Sequence, residues 1–477
     1  MAESGRKMGE VFRICLLVLA PLLLTTCSSA DRVVASPHRP NVLFIAIDDL
    51  NDWTAFLGGH PGVETPNLDR IAARGVTFTR AYSTAPACNP SRTSLLTGRR
   101  PSTTGVYHNY QPWRPSMPDT VTLPQHFMAH GYHVSGGGKI FHGAYKDPSS
   151  WHEYHQRRAD PVPRERRAGG IGAPEFLLQW GPVDVPDSAM ADAEVVDWAL
   201  RKLREPRDEP LFLAVGLFRP HPPWYVPRKY FDRTPLSEVR IPEVPDDDLD
   251  DVPEAGKHMA GPGWDHHFIT TTDSWEKAVQ GYVASIAFMD VQVGRLLDGL
   301  ENGPYRDDTI IVVWGDNGMH LGEKKHWRKF TLWEEATRVP LLIAVPWVDH
   351  AGSRSDRTVS LLDLYPTLAE LSGLPLPPEL EGRSLRPLLE DPDASWDRPV
   401  LTTSGRFNHA IRSERWRYIR YENGSEELYD HDADPMEWTN LAGDPTFAGV
   451  KGDLAKWLPK VNAKNASKSR RQKKKRR

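Results

Sequence analysis

The chain has 477 residues, 39% hydrophobic and 26% charged. These ordinary globular proportions give it material for a large core and exclude a disordered, fibrous or polytopic membrane protein. The formal net charge is −4 although residues 464–477 hold nine Lys or Arg and no acid; the body is therefore acidic, and nucleic acid, which needs a basic face, is excluded as a partner outside that tail.

The first predicted element is a leader. Residues 14–24, ICLLVLAPLLL, follow basic residues and precede small polar ones, a run too short to anchor in a bilayer and laid out as a signal peptide over 1–30. The protein is thus expected to be exported, periplasmic or secreted. The leader has two readable ends. Cleavage after Ala30 places Ser28 at the −3 position and releases the chain; LTTC at 24–27 loosely resembles a bacterial lipobox, in which Cys27 is lipidated and becomes the one attachment to a membrane. Thr26 fits a lipobox poorly, which favours cleavage. Of the three cysteines, Cys15 leaves with the leader, Cys27 leaves or anchors, and Cys88 alone stays in the body, so no disulfide framework is available.

Three apolar runs then end in polar residues of chemical character. Residues 41–47, NVLFIAI, run into Asp48 and Asp49; 211–218, LFLAVGLF, run toward His221; 309–314, TIIVVW, run into Asp316 and Asn317. Such runs read as buried parallel strands. Apolar residues at three- and four-residue spacing predict helices over 65–74, 189–204 and 275–300. The result is an α/β fold with a large, mostly parallel central sheet flanked by helices, its ligands lying beyond the carboxyl ends of the strands, which places the three polar clusters on one rim. Residues 144–187 and 235–266 read as surface excursions, and this catalytic domain spans 38–390. Over 391–463 short β-type runs around Glu422-Asn423-Gly424-Ser425, with one helix near 447–459, predict a smaller α+β subdomain with an antiparallel sheet. Residues 464–477 form a basic, disordered tail.

The lone body cysteine stands in Cys88-Asn89-Pro90-Ser91-Arg92-Thr93-Ser94-Leu95-Leu96-Thr97-Gly98. This segment resembles the signature of the type I, formylglycine-dependent sulfatases of the alkaline phosphatase superfamily. In that family it directs oxidation of the cysteine to Cα-formylglycine by a formylglycine-generating enzyme. A sulfate ester is an anion whose hydrolysis develops further negative charge, so its site needs a metal and several cationic side chains. Asp48, Asp49, Asp316 and Asn317 offer only oxygen ligands, a set that suits Ca2+, with Mg2+ as the alternative.

Within that family the chain most resembles the iduronate-2-sulfatase-like group. NVLFIAIDDLNDW, GGGKIFHG at 136–143, FRPHPPWYVP at 218–227 and WGDNGMHLGEKKHWRKFTLWEEATRVPLLI at 314–343 carry the likeness. It implies that Asp48, Asp49, Asp316, Asn317 and the modified Cys88 ligate the metal, that Arg92 steadies the aldehyde hydrate with Lys139 and His142 beside it, and that His221 and Lys329 hold the sulfate. One departure stands out: mammalian iduronate enzymes have His where this chain has Asn317, which leaves the sugar preference open.

The implied reaction attacks sulfur with one hydroxyl of the hydrated aldehyde and gives a covalent sulfo-enzyme. The alcohol leaves with a proton from His221, and collapse to the aldehyde, assisted by His142, expels sulfate. The expected substrate is a sulfated carbohydrate such as a uronic-acid polysaccharide. His320, His326 and Arg328 are candidate substrate contacts; Trp224, Trp327 and Trp333 either stack on sugar rings or pack in the core. A phosphonate monoester or phosphodiester hydrolase would share most of these residues. With Cys88 unmodified, a non-catalytic glycan-binding protein remains.

Overall fold

The computed structural model describes residues 39–163, 178–261 and 263–467. The predicted leader and positions 468–477 of the tail lie outside the described residues. Within them an eight-stranded sheet runs, in spatial order, Ser353–Ser360, Val76–Tyr82, Leu341–Ala344, Thr309–Gly315, Asn41–Ile47, Leu211–Leu217, His133–Gly138 and Glu153–His155. All neighbours pair in parallel except around Leu341–Ala344, which is antiparallel to the strands on both sides. The mostly parallel sheet is therefore present, and the three apolar runs occupy adjacent central positions.

Both faces of the central strands are buried. Side chains alternate across a strand, and Leu43, Ile45 and Ile47 pack with one apolar cluster that includes helices Ala191–Arg204 and Trp275–Glu301. Val42, Phe44 and Ala46 join the cluster on the other side with Leu95 and Leu96 of helix Cys88–Thr97. This two-sided burial explains why the strand reads as a continuous apolar run.

The four strands Val400–Thr403, His409–Arg412, Trp416–Arg420 and Glu426–Asp430 make a separate antiparallel sheet. The predicted turn joins the last two: Tyr421 N–H donates to Ser425 O at 3.0 Å, and Gly424 takes φ 85°, a conformation that favours glycine. Helix Ala448–Ala455 follows and is shorter than expected. The start of the tail is held to the body, since Ala466 N–H donates to Gly105 O and Gln111 Nε2 to Asn465 Oδ1. The excursions also contain structure. Trp180–Val183 pairs with Trp224–Pro227, and Glu254–Ala260 is a helix. No helix among the described residues is long and apolar enough to cross a membrane.

Candidate active site

Four parallel strands deliver side chains to one rim, as the topology requires. Asn41–Ile47 ends at Asp48 and Asp49, Thr309–Gly315 at Asp316 and Asn317, His133–Gly138 at Lys139 and His142, and Leu211–Leu217 at the turn carrying His221. Gly138 has φ 78°, and a Cβ there would lie 2.0 Å from Gly216 O, so only glycine lets the two strands meet where Lys139 departs. Cys88 opens its helix beneath this rim and is fully buried.

One ligand atom from each of Asp48, Asp49, Asp316 and Cys88 falls within 4.8 Å of the others, and the same holds for Asp48, Cys88 and His221. The Cys88 thiol contacts Asp49 Oδ1 at 3.6 Å, and Asp49 N–H donates to Asp316 Oδ1 at 3.0 Å. Lys139 Nζ pairs with Asp48, and Lys329 Nζ with Asp49. Arg92, wholly buried, donates through Nε to Asp316 Oδ2 at 2.6 Å, through Nη2 to Asp48 Oδ1 at 3.2 Å, and through Nη1 to Ile140 O at 3.0 Å. Its fork is thus spent on two carboxylates and the backbone after Lys139, so it braces the acids of the site. All ten expected site residues lie on this rim or line the space below it.

Charge explains the protonation pattern. Burial opposes ionisation of Asp48, but Lys139, Arg92 and Lys329 outweigh it and hold the carboxyl well below its usual range. Burial raises Asp316 to about 7 despite Arg92. Burial also keeps both imidazoles neutral, His142 at about 3 with help from Lys139 and His221 at about 3 despite Asp49. The Cys88 thiol is pushed up by burial.

A hard divalent cation fits these residues. Three carboxylates converge, and Asn317 donates its amide N–H to Asp49 Oδ1 and Gly318 O, both at 2.9 Å, while its Oδ1 is buried with no partner. A buried carbonyl oxygen without a donor is costly unless something else satisfies it. Oxygen donors alone suit Ca2+ or Mg2+.

The structure decides several secondary expectations. Trp224, Trp327 and Trp333 are at most 2% exposed, so they pack in the core and offer no face to a sugar. His320 is fully buried, its Nε2 2.8 Å from Thr331 Oγ1; His326 sits 2.9 Å from Lys329 O; and Arg328 pairs with Asp265 at 2.6 Å. These three hold the segment that carries Lys329. Two supporting residues escaped the sequence reading. Tyr282 of the long helix hydrogen-bonds the Asp49 carbonyl, and Asp192 accepts from the Phe218 and Arg219 N–H groups at the base of the His221 turn. Neither belongs to a motif, and only their polarity on predicted helices could have flagged them.

The model of the sulfatase family matches residues 40–374, and that of the N-sulphoglucosamine sulphohydrolase C-terminal region matches 322–464. A sulfatase of Formosa agariphila is 38% identical, with 94% of this chain and 92% of that protein covered. The iduronate 2-sulfatase of Mus musculus is 29% identical over 87% of this chain and 93% of its own. Among solved structures, the phosphonate monoester hydrolase of Agrobacterium radiobacter superposes with a TM-score of 0.70 at 25% identity, covering 88% of this chain and 94% of that one.

Proposed function

Because this chain belongs to the sulfatase family and is a sulfuric ester hydrolase, we propose that it removes O-sulfate from a sulfated sugar in the manner of the iduronate-2-sulfatase-like enzymes, with residue 88 as the nucleophile. The observation that carries this reading is the convergence of three carboxylates and the His221 imidazole on Cys88, ringed by Arg92, Lys139 and Lys329. Family membership implies a formylglycine and a divalent cation. We assign the cation, as Ca2+, to Asp48, Asp49, Asp316, Asn317 and the modified residue 88. When bound it supplies Lewis acidity toward a sulfuryl oxygen. Hydrated, residue 88 supplies one hydroxyl to attack sulfur and a second whose deprotonation releases sulfate, a route that a plain serine or cysteine ester lacks.

The chain's own groups do the rest. Lys139 and Lys329 neutralise the sulfuryl oxygens, and Arg92 holds Asp48 and Asp316 in place. His221 has its Nδ1 engaged by Pro222 O at 2.5 Å, which leaves the Nε2 lone pair to take the proton of the attacking hydroxyl and hand it to the departing alcohol. His142, held neutral with its Nδ1 buried and unpartnered, is the base toward the second hydroxyl. The leader at 14–24 supports an exported enzyme, released after Ala30 and acting on extracellular or periplasmic glycan.

Two measurements test this reading. The peptide containing residue 88 should weigh about 18 Da less than its thiol form, as conversion of a thiol to an aldehyde requires; full-mass thiol in active enzyme contradicts it. The likeness to a phosphonate monoester hydrolase makes the second test selective. Turnover of 4-nitrophenyl sulfate should exceed that of 4-nitrophenyl phenylphosphonate, and the reverse order assigns the other activity.

A further inference from the structure

Helix Cys88–Thr97 has residue 88 at one end and, just past the other, Arg100 in the wall of a cavity of about 280 Å3. Ten residues of helix measure about 15 Å, so the cavity is separate from the catalytic rim. Arg100 and Arg398 stand side by side in it and both donate to the carbonyl oxygen of Glu381, at 3.2 and 3.0 Å. Lys456 and Lys460 also line it, against the two carboxylates of Asp363 and Glu381. Those carboxylates are already occupied. Asp363 accepts from Ser360 N and Arg383 N at 3.0 and 2.8 Å, and Glu381 accepts from the Arg100 N–H and, at 2.7 Å, from Thr103 Oγ1. Their nearest approaches to the guanidinium groups are 3.9 and 4.0 Å. Lys456 is paired with Asp453 at 2.7 Å, which leaves Arg100, Arg398 and Lys460 facing two distracted anions in an otherwise acidic chain. Burial, and the like charge of Arg398, hold Arg100 below its ordinary range.

Two further features point to a sugar. Thr358 lines the cavity and is 2% exposed, yet its hydroxyl has no hydrogen-bond partner; a buried hydroxyl normally finds one. Two indoles also line it, Trp396 buried and Trp457 47% exposed. A large exposed aromatic face beside lysines is where the apolar face of a pyranose can stack while its acidic substituent meets the cations.

We propose that this cavity is a second, non-catalytic binding site for an anionic sugar unit, bearing a sulfate or a carboxylate, of the glycan that is desulfated at residue 88. The proposal rests on the sulfated-sugar reading above. A polymer held at the far end of the catalytic helix has a raised effective concentration at the rim without occupying it.

The test uses the full chain. Trp457→Ala combined with Lys460→Ala alters only exposed side chains, and Arg398→Gln removes one guanidinium. Affinity is measured by calorimetry for a heparin-derived hexasaccharide, for the same hexasaccharide desulfated with its carboxylates retained, and for inorganic sulfate. Each variant should bind the hexasaccharide at least about fivefold more weakly, with turnover of 4-nitrophenyl sulfate unchanged. Loss of binding on desulfation identifies sulfate as the recognised group, and retention identifies the carboxylate. Inorganic sulfate binding as tightly as the hexasaccharide overturns the sugar site. Unchanged hexasaccharide affinity in the double variant overturns the proposal even where Arg398→Gln fails to fold. A wild-type chain that hydrolyses the small ester but binds no anionic glycan removes the substrate reading and this site together.

Discussion

The Tyr282 hydroxyl donates to the Asp49 carbonyl at 2.8 Å and accepts from the Asn51 N–H at 3.0 Å. It bridges the residues on either side of Leu50 where the chain leaves the central strand. Asp49 there has φ 59°, a left-handed conformation that costs a non-glycine residue about 1 kcal/mol or more and persists only when its surroundings impose it. Tyr282 is thus the residue that fixes the second carboxylate of the site from outside it.

Tyr282→Phe removes both of these buried hydrogen bonds and keeps the ring. Calcium affinity, read from the calcium-dependent shift in melting temperature, should fall by roughly tenfold, as about 1.4 kcal/mol predicts. Melting without calcium should move by only a few degrees. Unchanged calcium affinity would show that Asp49 needs no such support.

Chelation should abolish turnover, and calcium should restore it. Asn317→Ala removes the orphaned buried oxygen and should weaken the cation further while leaving the carboxylates paired with Lys139, Lys329 and Arg92. A variant with wild-type calcium response would remove Asn317 from the ligand set.

Arg92→Met strands Asp48 and Asp316, both fully buried, without their shared partner. Removing one member of a buried ion pair destabilises by roughly 3–5 kcal/mol. The melting temperature should drop sharply even with calcium present. Arg92→Lys should recover only part of the loss, because an ammonium cannot reach Asp48, Asp316 and the Ile140 carbonyl together.

His409 provides an acid-sensitive element away from the site. It is 4% exposed, lies between Thr403 Oγ1 and Asn462 Oδ1 at 3.0 and 2.8 Å, and burial lowers its pKa to about 4. Its folded value lies below the ordinary imidazole value of about 6.5. The neutral form therefore stabilises the fold fully above that value, and the contribution fades as pH falls toward 4. His409→Asn should lower stability at pH 7.5 and narrow its gap to the wild type by pH 4.5 in denaturant titrations. A gap independent of pH would assign the residue to packing alone.

The sequence made the rim legible because the strands that carry it are buried on both faces, so that Asp48, Asp49, Asp316 and Asn317 stand out as polar residues ending apolar runs. Cys88 was legible through its motif. The supports were not. Tyr282 meets Asp49 across more than two hundred residues, and Asp192 meets Arg219 only once a helix packs against a strand; neither relation leaves a local pattern. The tryptophans show the opposite failure, since Trp224, Trp327 and Trp333 lie in motif blocks near the site yet turn inward. Whether an aromatic ring faces substrate or core is decided by packing, which local sequence does not contain.

The central claim is that sulfate ester hydrolysis runs through residue 88, and the most direct measurement is turnover of 4-nitrophenyl sulfate by the calcium-loaded Cys88→Ala protein, with its melting temperature recorded alongside. The account predicts a folded protein with turnover at the uncatalysed background. A folded Cys88→Ala protein that keeps turnover clearly above that background would contradict it.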